Sequence, residues 1–334
     1  MPVNANTVET YDNSVIREDL QEAYSMISPE ETPFQSSIRK ETASNTLFEW
    51  PVVELAAPTD NRVAEGEAAP GNDAATLALR LSNYTQISDK VVEVSHTSEA
   101  VNAAAANVQR IATQVVLKMK EMKRDKERML LSNVAASAAS SGSPRVTAGL
   151  PAFLDTNTVF TAGGADPTLS GGTEGFPNAP AVPGTTSVVF SEADLNRVIE
   201  DCWNEGASPS IIMVNSGNKR RISQAFTGNS TRYKDTVDKR VVNSVDFYDS
   251  DFGELTVVPN RFQPTNNPDT DNDSYNVFVL DPEYAAVAYL DEVQQKPLAE
   301  TGHSIRRLVW CEYGLQIDNR KAHGVIRDTT NLLT

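Results

Sequence analysis

The stretch NRVAEGEAAPGNDAA, residues 61–75, decides how the chain is read. It carries neither helical nor strand periodicity, yet it lies between two runs that read as β-structure. A structureless loop of this length inside a compact domain is uncommon and marks a functional or disordered segment. On its N-terminal side, LFEWPVVEL (47–55) predicts a strand in which Pro51 marks an edge or a bend. On its C-terminal side, Leu77, Leu79 and Leu81 alternate with Ala78, Arg80 and Ser82, the period of a half-buried strand. The stretch is therefore the tip of a hairpin-like excursion over roughly 41–95.

Upstream, residues 1–45 read as an arm. One short helix is expected around Ile16 to Met26, ended by Pro29 and Pro33. Downstream, the longest helical signal runs from about Ser98 to Ser132. Val101, Ala105, Val108, Ala112, Val115, Met119 and Met122 draw one apolar stripe, which Ile111 and Val116 widen. No Gly or Pro interrupts the run, and at 1.5 Å per residue it predicts a helix ~50 Å long. Residues 133–190 change character, with one short strand expected in TAGLPAFLDTNTVF (147–160) and then a Gly/Pro-rich loop.

From Phe190 the pattern tightens. Ser191 reads as an N-cap with Asp194 three residues on, Leu195, Val198, Ile199, Cys202 and Trp203 as a buried face, and Gly206 as the stop. A strand over 211–214, a helix from Ser216 through Phe226 and strands at Val241–Tyr248, Glu254–Pro259 and Asn276–Leu280 follow. Asp281-Pro282 opens one helical turn. Late in the chain, Val309, Cys311, Tyr313, Leu315 and Ile317 alternate with Trp310, Glu312, Gly314 and Gln316, giving a long strand with one apolar face. The fold class is α+β.

Composition narrows the function. The 334 residues carry a formal net charge of -16, which argues against a nucleic-acid clamp built on phosphate neutralisation. Three Trp, eleven Phe and nine Tyr argue for an ordered core. The two thiols, Cys202 and Cys311, form neither a metal-ligand spacing nor a disulfide framework and fit a reducing compartment. The N-terminal MPVNANTVETYDNS lacks the basic and apolar regions of a signal peptide, and no apolar run approaches the ~18 residues that span a bilayer, so no membrane partner is expected.

The chemical candidates each resolve to a plainer reading. Asp269, Asp271 and Asp273 have calcium-loop spacing, but Ser274 and Leu280 stand where the loop needs Gly and Glu, so the run reads as a solvated acidic turn. The glycines at 163, 164, 171, 172 and 175 lack the strand and G-K-[ST] of a phosphate cradle. His96, His303 and His323 are scattered, VNSGNK (214–219) lacks a nucleophile turn, and Asp281 with Glu283 is explained by capping. KMKEMKRDKERM (118–129), with six basic and three acidic residues, reads as a solvated helix face rather than a nucleic-acid patch, as does NKRRIS (218–223). No catalytic, cofactor or metal residues are expected. An arm and a long loop that cannot bury themselves need neighbours, which points to an assembly protein.

Several stretches carry a resemblance: ETPFQSSI (31–38), RVAEGEAAP (62–70), GLPAFLDTNT (149–158), SDFGELTVVPNRF (250–262), VFVLDPEYAAVAYL (277–290) and AHGVI (322–326). In this order they resemble the major head (capsid) proteins of tailed bacteriophages with the Hong Kong 97-like fold, most of all the short-tailed phage type. The resemblance implies an N-terminal arm (1–40), an extended loop (41–95), a peripheral domain with a spine helix (96–190), an axial domain (191–285) and return strands to the peripheral domain (286–334). It implies hexamers and pentamers tiling an icosahedral head around double-stranded DNA, without sequence-specific binding. Portal, scaffolding and decoration proteins would be further partners, with assembly in the host cytoplasm and residence in the virion. Some relatives weld subunits through a Lys–Asn isopeptide bond from the extended loop. Here no Lys stands between Glu41 and Asp89, so a noncovalent overlap is expected, with Arg62, Glu65, Glu67, Pro70 and Asp73 as loop-tip contacts. The rival readings are an encapsulin-like nanocompartment shell and an enzyme of unrecognised type.

Overall fold

A computed structural model of the chain describes residues 28–66, 77–101, 110–170, 175–226, 234–235, 240–241, 246–266, 274–300 and 302–330. The short α1 (Pro33–Ser37) and β1 (Arg39–Thr42) lead into β2 (Leu47–Val52) and β3 (Leu79–Tyr84), then β4 (Gln86–Ser95). Next come α2 (His96–Ala100), α3 (Ile111–Leu130) and three short strands, β5 (Thr158–Val159), β6 (Thr168–Leu169) and β7 (Pro177–Ala179). The following portion holds α4 (Glu192–Asn204), β8 (Ile211–Val214), α5 (Ser216–Arg221), β9 (Lys234–Asp235), β10 (Arg240–Val241), β11 (Phe247–Ser250), β12 (Gly253–Pro259) and β13 (Ser274–Leu280). The last described elements are β14 (Ala285–Pro297), β15 (Ser304–Ile317) and β16 (Gly324–Thr330).

A four-stranded sheet has the order β1-β14-β15-β4, with β1 parallel to β14 and the other pairs antiparallel. Val309, Cys311, Tyr313, Leu315 and Ile317 on β15 are fully buried, as their alternation predicts. They pack toward α3, where the sulfur of Cys311 lies 3.4 Å from that of Met122. The sequence pattern missed β14. Its AAVAYL start is rich in Ala, a weak strand former, and becomes a strand because β1 and β15 pair on both sides of it.

A six-stranded sheet has the order β11-β12-β8-β13-β16-β5. Its two faces serve different cores. Ile212, Val214, Leu255, Val257, Val277, Val279 and Ile326 meet Leu195, Val198, Ile199 and Cys202 of α4. Met213, Phe278, Leu280 and Val325 join the core under α3 and the four-stranded sheet. The run Val277–Leu280 is apolar throughout because β13 is covered on both faces. β16 lies in this six-stranded sheet, whereas β14 and β15 lie in the other.

Gly324 sets the distance between α4 and this sheet: a Cβ there would sit 2.2 Å from Val198 Cγ1 and 3.2 Å from Cys202 Sγ. Gly324→Ala is expected to cost about 1–3 kcal/mol by overpacking, read as a lowered melting temperature of the unassembled subunit. An unchanged melting temperature would mean that α4 yields freely.

Several expectations need correction. The single helix over Ser98–Ser132 is not one element: Val101 and Arg110 both have extended backbone, and α3 is 20 residues long, about 30 Å. Residues 102–109 lie outside the described set. The break is built locally, since Ser95 caps α2 and the Glu99 carboxylate accepts the Ile111 N–H at 3.1 Å. Val116, expected on the buried stripe, is 52% exposed. Trp203 turns away from the core of α4, half exposed, and packs against Phe252 at 5.3 Å between ring centres. The expected strand Val241–Tyr248 is seen as β10 and β11 only, with 242–245 outside the described residues. The expected helix Ile16–Met26 also lies outside them.

Candidate assembly surfaces

The hairpin around the opening stretch is present. β2 and β3 pair antiparallel from Leu47↔Tyr84 to Val52↔Leu79. The excursion expected over 41–95 divides at Thr85, because Gln86–Ser95 leaves the hairpin and pairs with β15. Residues 53–66, between the two strands, have no regular structure and every one is exposed. Leu55 is 89% exposed, Leu77 77%, Val63 62% and Val53 59%, so the loop holds four large apolar side chains in solvent.

Of the expected tip contacts, Arg62 and Glu65 are described and exposed; Glu67, Pro70 and Asp73 lie outside the described residues. Arg62 folds back on Asp60, its Nε 2.9 Å from both carboxylate oxygens, and this hydrogen bond holds the Asp60 carboxyl below its ordinary value. The pair is solvent-exposed, and Glu65 is exposed beside it.

The root of the hairpin is rigid, in contrast to its tip. Phe48 and Trp50 stack at 5.5 Å, and the Trp50 indole donates to the Ile317 carbonyl at 2.8 Å. Gly314 admits the Phe48 ring, since a Cβ there would lie 2.5 Å from Phe48 Cε1. Lys321 bridges Glu54 and Glu205, each at 3.1 Å, tying the first loop residues to α4's end. A buried aromatic root with an exposed apolar tip can present the tip to something other than its own chain.

The charged run on α3 is largely the paired, solvent-facing surface that was expected, with two residues, Lys126 and Glu127, turned inward. Lys118 pairs with Glu121, Lys120 with Glu30, and Lys90 of β4 with Asp125 and Glu121. Lys126 is 5% exposed and Glu127 is fully buried. Glu127 accepts the N–H groups of Phe34 at 2.7 Å and Gln35 at 2.9 Å, and the Asn260 amide at 2.8 Å. Three separate parts of the chain therefore meet on one carboxylate. Burial pushes this carboxyl up, against the lowering effect of the donated bonds. The clue in the sequence was the apolar stripe itself: Met119 and Met122 lead by helical steps to Lys126 and Leu130, placing charged residues on the inner face.

The reactive residue types are buried or dispersed. Burial pushes the Cys202 thiol up to about 12 and raises that of Cys311. His96 and His303 do meet, with ring centres 4.9 Å apart, across the β4–β15 pair. Among the described residues no group of three His, Cys, Asp or Glu side chains is placed to hold a metal ion, and Asp269, Asp271 and Asp273 lie outside them. No described helix is long and apolar enough to cross a membrane.

His323 is fully buried, with Nδ1 accepting the Asp281 N–H at 3.3 Å and Nε2 facing the Tyr284 carbonyl at 3.5 Å. Burial lowers its pKa from 6.5 to about 4. The folded state therefore holds this ring neutral while the unfolded chain protonates it near 6.5. Stability from this group is complete above that value and is lost as pH falls toward 4, a change on the order of 3 kcal/mol. Thermal unfolding of the unassembled subunit at about pH 7 and about pH 4.5 should show this loss, and His323→Asn should flatten it. Equal slopes in both proteins would contradict the assignment.

Comparison with known proteins gives one consistent answer. The family described as SU10 major capsid protein matches residues 3–330. The major capsid protein of Escherichia phage Phieco32 is 26% identical, over 97% of each chain. Among solved structures, the capsid of a native GTA particle superposes with a TM-score of 0.61 at 11% identity, over 96% of this chain and 98% of that one. The SrpI encapsulin of Synechococcus elongatus PCC 7942 gives 0.55 at 10% identity, over 93% and 94%. These structural likenesses show an α+β shell fold of the Hong Kong 97 type.

Proposed function

Because the chain belongs to the SU10 major capsid protein family, we propose that its exposed hairpin is the overlap element by which neighbouring subunits tile a phage head. The family and its phage relative make the chain a major capsid protein, a structural component of the virion and not an enzyme. The encapsulin is a neighbour in fold alone.

The observation that carries the overlap is the contrast between the buried Trp50 root and the solvent-exposed Leu55, Val63 and Leu77. Each such side chain stabilises an interface by roughly 1.5–3 kcal/mol when fully buried. In this reading Arg62, Glu65, Glu67, Pro70 and Asp73 are inter-subunit contacts. Residues 1–40 form the arm, and the extended loop falls within 41–95. α3 and the four-stranded sheet form the peripheral body; α4 and the six-stranded sheet, built mainly from 191–285, form the axial body at capsomer centres.

Hexamers and pentamers of this subunit would enclose double-stranded DNA without reading its sequence, in a short-tailed phage head. A net charge of -16 supports that part, because a shell packed against DNA should not grip it. Portal, scaffolding and decoration proteins complete the expected partners. Electron micrographs of the native particles test the proposal: DNA-filled heads bearing short tails are expected, and closed shells carrying protein cargo would overturn it.

A further inference from the structure

Between α1, α3 and β14 lies a cleft of about 480 Å³ whose charge is unbalanced. Lys40, Lys123 and Lys126 line it, and Glu292 is its one carboxylate. Met119 and Val293 supply apolar wall. Lys126 is the unusual member. Its described oxygen partner is the Tyr289 hydroxyl at 2.5 Å, and its ammonium lies over the rings of Tyr289 and Tyr313 at 4.7 and 5.7 Å. Lys118 and Lys120 of α3 each have a carboxylate within 2.8 Å, and the fourth lysine of the helix, Lys123, is exposed at the cleft mouth. Lys126 has none at that distance among the described residues, although it is 95% buried by its 5% exposure. The Glu127 carboxylate next to it attracts this ammonium without a direct ion pair, and burial outweighs that attraction and lowers the Lys126 pKa, so a directly contacting anion would offset its desolvation.

We propose that this cleft receives a carboxylate from the acidic loop, residues 53–78, of a second copy of the chain. The inference rests on the shell reading and names the receptor for the loop. Charge selects the occupant. Residues 53–78 carry Glu54, Asp60, Glu65, Glu67 and Asp73 against Arg62 alone. Glu54 is held by Lys321 and Asp60 by Arg62, whereas Glu65 is exposed two residues after the exposed Val63. A Val–x–Glu segment matches a cleft that offers both apolar wall and ammonium groups. The Lys126 ammonium at the floor and the two exposed lysines at the mouth supply charge-assisted donors for a carboxylate.

The test is zero-length carbodiimide coupling of assembled particles, followed by mass spectrometry of the linked peptides. Each coupling joins a carboxylate to a lysine amine with loss of water to the carbodiimide, so a link reports direct contact. Links from Glu65 or Glu67 to Lys40, Lys123 or Lys126, absent from the unassembled subunit, are expected. Links from those glutamates only to lysines elsewhere would overturn the inference, as would cleft lysines linked instead to carboxylates of residues 1–27. As a second measure, the exposed pair Lys40→Glu and Lys123→Glu should lower shell yield about tenfold with an unchanged melting temperature, and Glu65→Lys with Glu67→Lys should recover it. Wild-type yield from the lysine pair would overturn the cleft while leaving the shell reading intact; a wild-type chain that forms no shells would instead overturn the shell reading.

Discussion

Deleting residues 61–75 is expected to abolish closed shells while the subunit keeps its fold. None of the described residues 53–66 belongs to either buried core, so the described part of the deleted stretch contributes no side chain on which the two sheets depend. The hairpin root survives as well, because Phe48, Trp50 and Leu81 are buried, Trp50 donating to Ile317 and Phe48 lying on Gly314. What disappears is Val63, the Arg62–Asp60 clasp and the exposed Glu65. A shell multiplies such a contact over every subunit, so losing even about 2 kcal/mol per contact weakens association by more than tenfold at each step. Far-UV circular dichroism and sedimentation of the purified variant check both halves together. Normal shells from the deletion would refute the role given to the loop, and a collapsed fold would refute its independence from the cores.

Replacing Glu127 with Ala is expected to lower the stability of the unassembled subunit by about 3 kcal/mol or more, since three buried donors lose their acceptor at about 1–3 kcal/mol each. The Phe34 and Gln35 N–H groups would lose the acceptor they have here, and the Asn260 amide would keep only the Met213 sulfur. For a protein of this size the melting temperature should fall by about 5–10 °C. Glu127→Gln should fall between, since its amide oxygen still accepts while its NH₂ opposes another donor. The substitution should also free the segment around Pro33–Ser37, so limited proteolysis should cut there sooner. A variant as stable as the parent would mean that the carboxylate is not the point where arm, helix and axial body meet.

Much of this architecture was legible in the sequence, for identifiable reasons. The β15 alternation, the Ser191 cap and the Leu195–Cys202 stripe are local signals, and each appears where its period places it. The hairpin was legible because a Gly/Pro-rich run between two period-two segments has few other readings. What escaped was decided by tertiary contact. β14 looks like a helix or loop because Ala-rich AAVAYL has little intrinsic preference, and two flanking strands make it a strand. The unbroken helix over Ser98–Ser132 fails because Ser95 and Glu99 cap two shorter helices, a competition that an apolar stripe cannot reveal. Trp203 completes the α4 stripe by spacing but packs outside it, on Phe252.

The candidate site was legible only as a shape. Sequence marked the loop as unable to bury itself and named Arg62 and Glu65 within it. It gave no sign that Arg62 would pair with Asp60, or that Lys126 would be buried on the inner face of α3 against the Tyr289 hydroxyl. Both follow from how the chain folds back on itself. The stretch ETPFQSSI, which helped carry the resemblance, gains a physical reason: its Phe34 and Gln35 backbone is what Glu127 holds.

The most direct test of the account is a cryo-electron microscopy map of the assembled particle, resolved well enough to trace residues 53–78. The segment is expected to leave its own subunit at Val52, cross to a neighbour and bury Leu55, Val63 and Leu77 there. A loop folded back onto its own subunit, with those three side chains covered by its own sheets or left in solvent, would contradict it.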